Sequence, residues 1–514
     1  MSSRPGPMAP ALALGCALVS GLLLPLALAP FDLWPLAVLA PALLLAAVHG
    51  QSPRFALLLG YLHGVGRYGL GVSWIYMSIH VYGPAPPWLA GTLVGLFVLA
   101  MAIFPALMTW LFSRLKLTGR LAAGVAFCGL WVLFEWLLTW FLTGFPWLFV
   151  GYAHLESPLA GYAPVGGVLL VSLISVLTGV GLWWLGPVLR SGERLWTRSA
   201  ALGTAVLLLL WVLGAGLSAV SWTRPTGAPL NVALVQGVIP QDIKWQSENR
   251  QAVLSRHLAL SELHWGMDLL VWPEAAITWF ARDAPVLLED LGDHARRHGT
   301  TLITGIPDYQ RDPDDPYRAY FQNTAIALGT GEGQYIKQRL VPFGEYVPLE
   351  DVLRGLISFF DLPMSHARPG PSGQAPLRAG SETLAMAICY EIVYPDLVRQ
   401  LGRDATLLVT LSNDTWFGDS IGPEQHHQMA RMRALELGRW LIRATNDGVT
   451  GLVDHKGVEQ SRLPRFEPDV LTGTVVPMTG QTPFARTGSW PAVVMALLLL
   501  LLGWWRRSQP QARD

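Results

Sequence analysis

Three stretches of this chain end in a group that can do acyl chemistry. The apolar run Leu384 to Ile388 stops at a thiol, Cys389, with Tyr390 and Glu391 next. The run from Leu269 to Trp272 stops, after Pro273, at a carboxylate, Glu274. A third, Gln334 to Ile336, stops at an amine, Lys337. Each reads as a short buried strand that delivers a polar side chain to its tip. A base, a cation and a nucleophile together are the parts of a covalent acyl-transfer site.

Alone, each residue is weak evidence. A single Cys is commonly a small buried hydrophobe, and a single Glu or Lys at a strand end is commonly solvated. The order and the flanks carry more. Trp272-Pro273-Glu274, the stretch from Lys337 through Phe343-Gly344-Glu345 to Pro348, and Ile388-Cys389-Tyr390-Glu391 together resemble the carbon–nitrogen hydrolase (nitrilase) superfamily. The resemblance implies an α-β-β-α sandwich with Glu274, Lys337 and Cys389 as the triad. It also implies supporting roles for Glu345, Tyr390 and Glu391.

The elements that would hold these residues lie between about 229 and 475, where composition is that of a soluble protein. Short β-branched runs (231–236, 301–305, 323–328, 406–410, 441–445) alternate with helical patterns near 247–265, 284–298 and 424–438. Such alternation predicts layered α/β structure. Trp272 and Pro273 are expected to wall Glu274 with apolar surface. His426-His427 invites a metal reading. Adjacent helical residues point apart and no Cys or acid has ligand spacing with them, so no metal or other cofactor is expected.

The rest of the chain is different. Of 514 residues, 52% are hydrophobic and 14% charged, too apolar for an ordinary soluble protein. Stretches long enough to span a bilayer fall near 9–28, 33–49, 55–79, 88–112, 121–141, 165–189, 199–220 and 490–506. The first has a small-residue site at 27–30 that could be cleaved, but its apolar run exceeds a usual signal peptide, and a retained helix is expected. Arg54, Arg114, Lys116, Arg120, Arg190, Arg194, Arg198, Arg506, Arg507 and Arg513 lie in alternate connections and the tail. Connections 29–32, 80–87 and 142–164 hold no Lys or Arg. By the positive-inside rule both termini are cytoplasmic and the soluble domain is periplasmic. Expected domains are therefore 1–220, seven transmembrane helices; 221–487, the catalytic domain; and 488–514, an eighth helix and a cytoplasmic tail. Net charge is zero, so nothing points to nucleic acid. Arg67 and Glu135, inside spans, read equally as an internal pair or as a lipid-headgroup contact.

A nitrilase-like domain between a seven-helix block and a last helix resembles the apolipoprotein N-acyltransferases of the bacterial inner membrane. Gln236 to Trp245, Thr143 to Trp147 and Ser412 to Gly418 match as well. The resemblance implies acyl transfer from a phospholipid to Cys389, then to the N-terminal amine of a diacylglyceryl-apolipoprotein. Trp245 is a candidate pocket wall. The apolar stretch 349–362 suggests a lid over lipid entry, with Leu356 and Phe360 on one face. Phe145 and Trp147 would form an opposite wall. The alternative reading is a membrane-tethered amidase or nitrilase for a small C–N substrate; a tether needs one helix rather than eight. A transporter with an ectodomain is disfavoured because charge is sparse and no repeat is present.

Overall fold

The computed structural model describes residues 6–83, 85–117, 119–190, 198–312, 319–346 and 367–507. They divide into two compact units. One comprises Met1–Tyr76, Pro87–Val220 and Thr487–Asp514; the other comprises Met77–Pro86 and Ser221–Arg486.

The first unit is helical at all eight expected places. Its helices are Pro10–Ala27, Pro35–Val48, Pro53–Gly71, the broken pair Pro87–Met101 and Ile103–Arg114, Arg120–Leu137, Ala163–Arg190, Arg198–Ser218 and Trp490–Arg507. Among the described residues, five spans are long and apolar enough to cross a membrane by length and composition. Pro35–Val48 has 14 residues, about 21 Å at 1.5 Å per residue, short of a hydrocarbon core of about 30 Å. Pro53–Gly71 is diluted by Arg54, His63, Arg67 and five glycines. Two of these glycines are close-approach sites: a Cβ on Gly60 or Gly64 would come within 2.5 Å of residues in 102–109. Arg67 and Glu135 face each other at 3.7 Å, both buried. Arg67 Nη2 also donates to Leu148 O, while Glu135 Oε1 accepts from Trp131 Nε1 and Val150 N. The pair thus ties two helices to the 148–150 connection.

In the second unit the strands are β1 Arg224–Pro225, β2 Leu230–Gln236, β3 Leu269–Val271, β4 Thr301–Arg311, β5 Ala319–Gly329, β6 Gly331–Glu332, β7 Gln334–Ile336, β8 Leu377–Ala379, β9 Glu382–Ile388, β10 Leu407–Ser412, β11 Leu441–Thr445, β12 Gly451–Val453, β13 Glu459–Arg462, β14 Asp469–Val475 and β15 Met478–Thr479. Among the described residues they form a six-stranded sheet, β14-β2-β3-β4-β5-β7, a seven-stranded sheet, β13-β12-β11-β10-β9-β8-β6, and a small β1-β15 pair. β2, β3 and β4 run parallel, as do β9, β10 and β11.

Alternation decides which side chains meet. Val232, Leu234, Val271 and Ile303 from one sheet share a core with Leu384, Met386, Ile388, Val409 and Leu411 from the other. The alternate residues Ala233, Val235, Leu270, Trp272 and Leu302 turn outward onto helices Arg250–Ser261 and Pro285–Arg297 through Leu254, Leu291 and Ala295. Helices Pro395–Gly402 and Gly422–Leu437 cover the outer face of the seven-stranded sheet. Small residues allow this approach, since Gly402 would meet Leu408, Leu437 and Ala385 if it carried a Cβ. The result is the α-β-β-α sandwich that the resemblance implied. Met77–Pro86, between two apolar helices in sequence, packs with this unit: Ser78 Oγ donates to Trp416 O at 2.7 Å and Tyr82 meets the Trp416 ring edge-on.

Candidate active site

The parallel strands set the site. Ligand-bearing groups in open α/β sheets gather beyond the carboxyl ends of the strands, and β3, β9 and β10 end at Glu274, Cys389 and Asn413. Lys337 reaches them because β7 is antiparallel to β5 and β5 to β4, so β7 runs in the direction of β3 and ends at the same edge.

Glu274 is buried and held from three sides. Asn323 Nδ2 donates to its Oε1 and Asn413 N to its Oε2, each at 2.6 Å. Lys337 Nζ lies 3.8 Å from Oε1. Its backbone oxygen accepts from Lys244 Nζ at 3.1 Å. Burial raises its pKa above the ordinary carboxylate value, Lys337 pulls it down and Glu345 pushes it up again. The apolar wall is not Trp272: that ring turns to the outer layer and donates to Ser261 Oγ, because strand alternation sends it away from the neighbouring Val271.

Lys337 is 1% exposed. Its Nζ donates to Glu345 Oε1 at 2.9 Å, and Glu345 Oε2 accepts from Val341 N at 2.8 Å. Burial opposes its charge, but Glu345 and Glu274 outweigh burial and hold the ammonium protonated.

Cys389 is half-buried and has a φ of +53°, in the left-handed region. For a non-glycine residue that costs roughly 1 kcal/mol or more, so the surroundings must enforce it. Glu391 does much of this. Its Oε2 accepts from Ile388 N at 2.8 Å; its Oε1 accepts from Tyr335 Oη, Gln338 N and Arg339 N at 2.6–3.1 Å. One carboxylate therefore ties the nucleophile's turn to the chain just beyond Lys337. Burial pushes Glu391 up to about 7, against those backbone donors and Lys337. Burial and Glu274 both push the Cys389 thiol up, and Lys337 pulls it back. The resting sulfur is thus a thiol beside a carboxylate of raised basicity.

Tyr390 is buried, with its ring perpendicular to Tyr394 at 5.3 Å. Trp245 is half-buried next to Lys244 and meets the edge of Phe321 at 6.5 Å. Phe145 and Trp147 belong to the helical unit, where they stack at 5.9 Å; Trp147 is wholly buried. Leu356 and Phe360, with the whole of 349–362, lie outside the described residues.

Sequence reasoning missed Asn323, Lys244 and Asn413. Asn323 had one legible signal: it is an amide inside a strand otherwise apolar from Ala325 to Leu328, and a buried amide needs partners. His426 and His427 diverge, His426 to Asp414 Oδ1 and Cys389 O, His427 to Glu459. Among the described residues no three His, Cys, Asp or Glu side chains converge on a metal position.

A sandwich carrying a buried Glu–Lys–Cys cluster at its strand ends defines a nitrilase-like catalytic domain, and residues 231–484 match the family described as Carbon-nitrogen hydrolase. Residues 20–181 match the Apolipoprotein N-acyltransferase N-terminal domain. Proteins named apolipoprotein N-acyltransferase are similar over nearly the full length. That of Azotobacter vinelandii is 49% identical, covering 95% of this chain and 93% of that protein. That of Pseudomonas syringae pv. tomato is 48% identical, covering 95% of each. That of Vibrio vulnificus is 40% identical, covering 96% of each. This chain belongs to the apolipoprotein N-acyltransferase family. A nitrilase-superfamily structure from Saccharomyces cerevisiae aligns with 50% of this chain and 93% of its own, at 18% identity and a TM-score of 0.37, too distant to bear on the chemistry.

Proposed function

We propose that this chain moves an acyl group from a phospholipid to Cys389 and from there to the N-terminal amine of a diacylglyceryl-apolipoprotein. What supports this most is the joint placement of Glu274, Lys337 and Cys389 in one buried polar cluster on a chain with an apolar helical block. A soluble amidase needs only the first.

The thiol proton passes to Glu274, whose basicity burial raises. The sulfur attacks the ester carbonyl carbon of the lipid. The resulting oxyanion is met by Lys337 and by the backbone N–H of Tyr390; one such donor is worth about 3 kcal/mol. The C–O bond breaks, Glu274 returns its proton to the departing oxygen, and lysophospholipid leaves a thioester on Cys389. The neutral amine of the acceptor then attacks. The C–S bond breaks, Glu274 takes the amine proton and passes it to sulfur, and an amide is released. Glu345 keeps Lys337 charged and placed; Trp245 walls the pocket. Water must be excluded between the two steps, or the thioester hydrolyses.

The same reading places the protein in a bacterial inner membrane, with the catalytic domain outside the cytoplasm and both termini inside. Met77–Pro86, a connection without Lys or Arg, shares a compact unit with the catalytic domain, and the two would lie on one side of the bilayer.

Intact mass spectrometry after incubation with phospholipid tests the proposal. One added acyl mass on the wild type, none on Cys389→Ala, and normal loading of Cys16→Ala and Cys128→Ala are expected. Loading of Cys389→Ala would sink the mechanism.

A further inference from the structure

Beneath the nucleophile lies a buried polar group that the reaction above does not use. His426, on helix Gly422–Leu437, is 1% exposed, as is Asp414; Arg443, on β11, is 0% exposed. His426 Nε2 lies 3.1 Å from the carbonyl oxygen of Cys389. A carbonyl only accepts, so Nε2 carries the hydrogen. The other ring nitrogen, Nδ1, lies 3.1 Å from Asp414 Oδ1 and 3.1 Å from Arg443 Nη2. Arg443 Nη2 donates to Asp414 Oδ2 at 2.7 Å and Ser412 Oγ donates to Asp414 Oδ1 at 2.6 Å. With the hydrogen on Nε2, Nδ1 accepts from Arg443 Nη2, and Asp414 orients that guanidinium, so the imidazole is fixed from behind by β11 and, through Arg443, by the turn after β10.

The consequence runs through the peptide plane. The carbonyl of Cys389 and the N–H of Tyr390 belong to one planar trans unit, with C=O and N–H pointing in opposite directions. Fixing the carbonyl on one side aims the N–H on the other. That N–H is the backbone donor assigned above to the oxyanion. The left-handed φ of Cys389 makes this aim depend on outside contacts, because the local preference of the chain is for another conformation.

We infer that His426 is a positioning residue for acyl transfer: its Nε2–H anchors the Cys389 carbonyl and thereby aims the Tyr390 N–H at the oxyanion, with Asp414 and Arg443 holding the ring. This rests on the thioester reading of the site. It goes beyond the triad, because the group acts from behind the nucleophile and touches no substrate.

The experiment compares His426→Phe and His426→Gln with wild type in the full-length protein. Phe keeps a ring against Phe417, whose centroid is 5.8 Å away, but donates nothing. Gln places an amide N–H near the Nε2 position. Two rates are measured: single-turnover acylation by phospholipid, and alkylation of Cys389 by iodoacetamide. Alkylation displaces iodide at a saturated carbon and forms no oxyanion. His426→Phe is expected to slow acylation at least 100-fold, the scale of losing one oxyanion donor, with KM for phospholipid unchanged. Its alkylation rate and alkylation pH profile should stay within about twofold. His426→Gln should recover at least tenfold of the lost acylation. Unchanged acylation in His426→Phe overturns the inference. So does a fall of acylation and alkylation together, or a Gln variant no faster than Phe, since either marks a merely structural residue. If wild-type protein forms no thioester in the same assay while alkylating normally, it is the acyl-enzyme reading that fails.

Discussion

Two carboxylates approach Lys337, and their surroundings separate their roles. Glu274 takes its hydrogen bonds from Asn323 and Asn413 and lies 3.8 Å from the ammonium, while burial, against these groups, keeps it basic. Glu345 contacts Lys337 directly at 2.9 Å and is pinned by Val341 N. We expect Glu274→Gln to abolish thioester formation and Glu345→Gln to leave a slower but measurable yield, read by intact mass after one turnover. Equal yield from Glu274→Gln and wild type would remove Glu274 from the base role. A second residue tests the electrostatics. Asp447 is 6% exposed and its Oδ1 has no hydrogen-bond partner among the described residues. Burial pushes its carboxyl up to about 6. A folded pKa above the unfolded value means the group favours folding below about 3.8, and that contribution is lost as pH climbs through about 6. Asp447→Asn should thus melt like wild type at pH 3.5 and higher than wild type at pH 7.5, by up to roughly 3 kcal/mol. An equal shift at both pH values would contradict it.

At the scale of elements, the site depends on how closely strands approach the catalytic turns. Gly305, in β4, lies under the turn that presents Glu274. A Cβ there would come within 2.5 Å of Ala275 N and 2.7 Å of Glu274 Cα. These are backbone atoms that cannot rotate away. Gly305→Ala should therefore displace Glu274, costing roughly 1–3 kcal/mol of stability and at least tenfold in acylation. Gly292, inside helix Pro285–Arg297, is the control. A Cβ there meets Gly329 N at 3.7 Å, an ordinary contact, so Gly292→Ala should gain about 0.5–1 kcal/mol from helix propensity with activity unchanged. Thermal melting and single-turnover acylation, measured on both variants, separate the two effects.

For the whole molecule, the proposed orientation rests on charge. Arg and Lys cluster in alternate connections, while 29–32, 80–87 and 142–164 have none. A cysteine replacing the exposed Ala228, ahead of β2, should react in intact cells with a thiol reagent that cannot cross the inner membrane. A cysteine replacing Ser508, in the Arg-bearing tail, should react only after the cells are opened. The background chain has its own three cysteines replaced by Ala and is expressed beside an active copy. Labelling of Ser508→Cys in intact cells would reverse the topology.

What could be read from the chain alone were local signals. Apolar runs of bilayer length marked the helices, and each of the eight is helical, because a run of that composition must bury its backbone hydrogen bonds within itself. Strand-end positions for Glu274, Lys337 and Cys389 were legible because apolar β runs stop where a polar group begins. Tertiary structure alone decided the partners. Asn323 and Asn413 reach Glu274 from 49 and 139 residues away. His426 reaches the Cys389 carbonyl from 37. Met77–Pro86 joins the catalytic unit from well over a hundred residues upstream. Trp272 faced the outer layer because side-chain alternation, fixed only once β3 paired with β2 and β4, put it on the side opposite Val271. A hydrogen bond between distant segments leaves no periodic trace in a single sequence. It exists only after two sheets have packed and their strand ends have been brought to one edge.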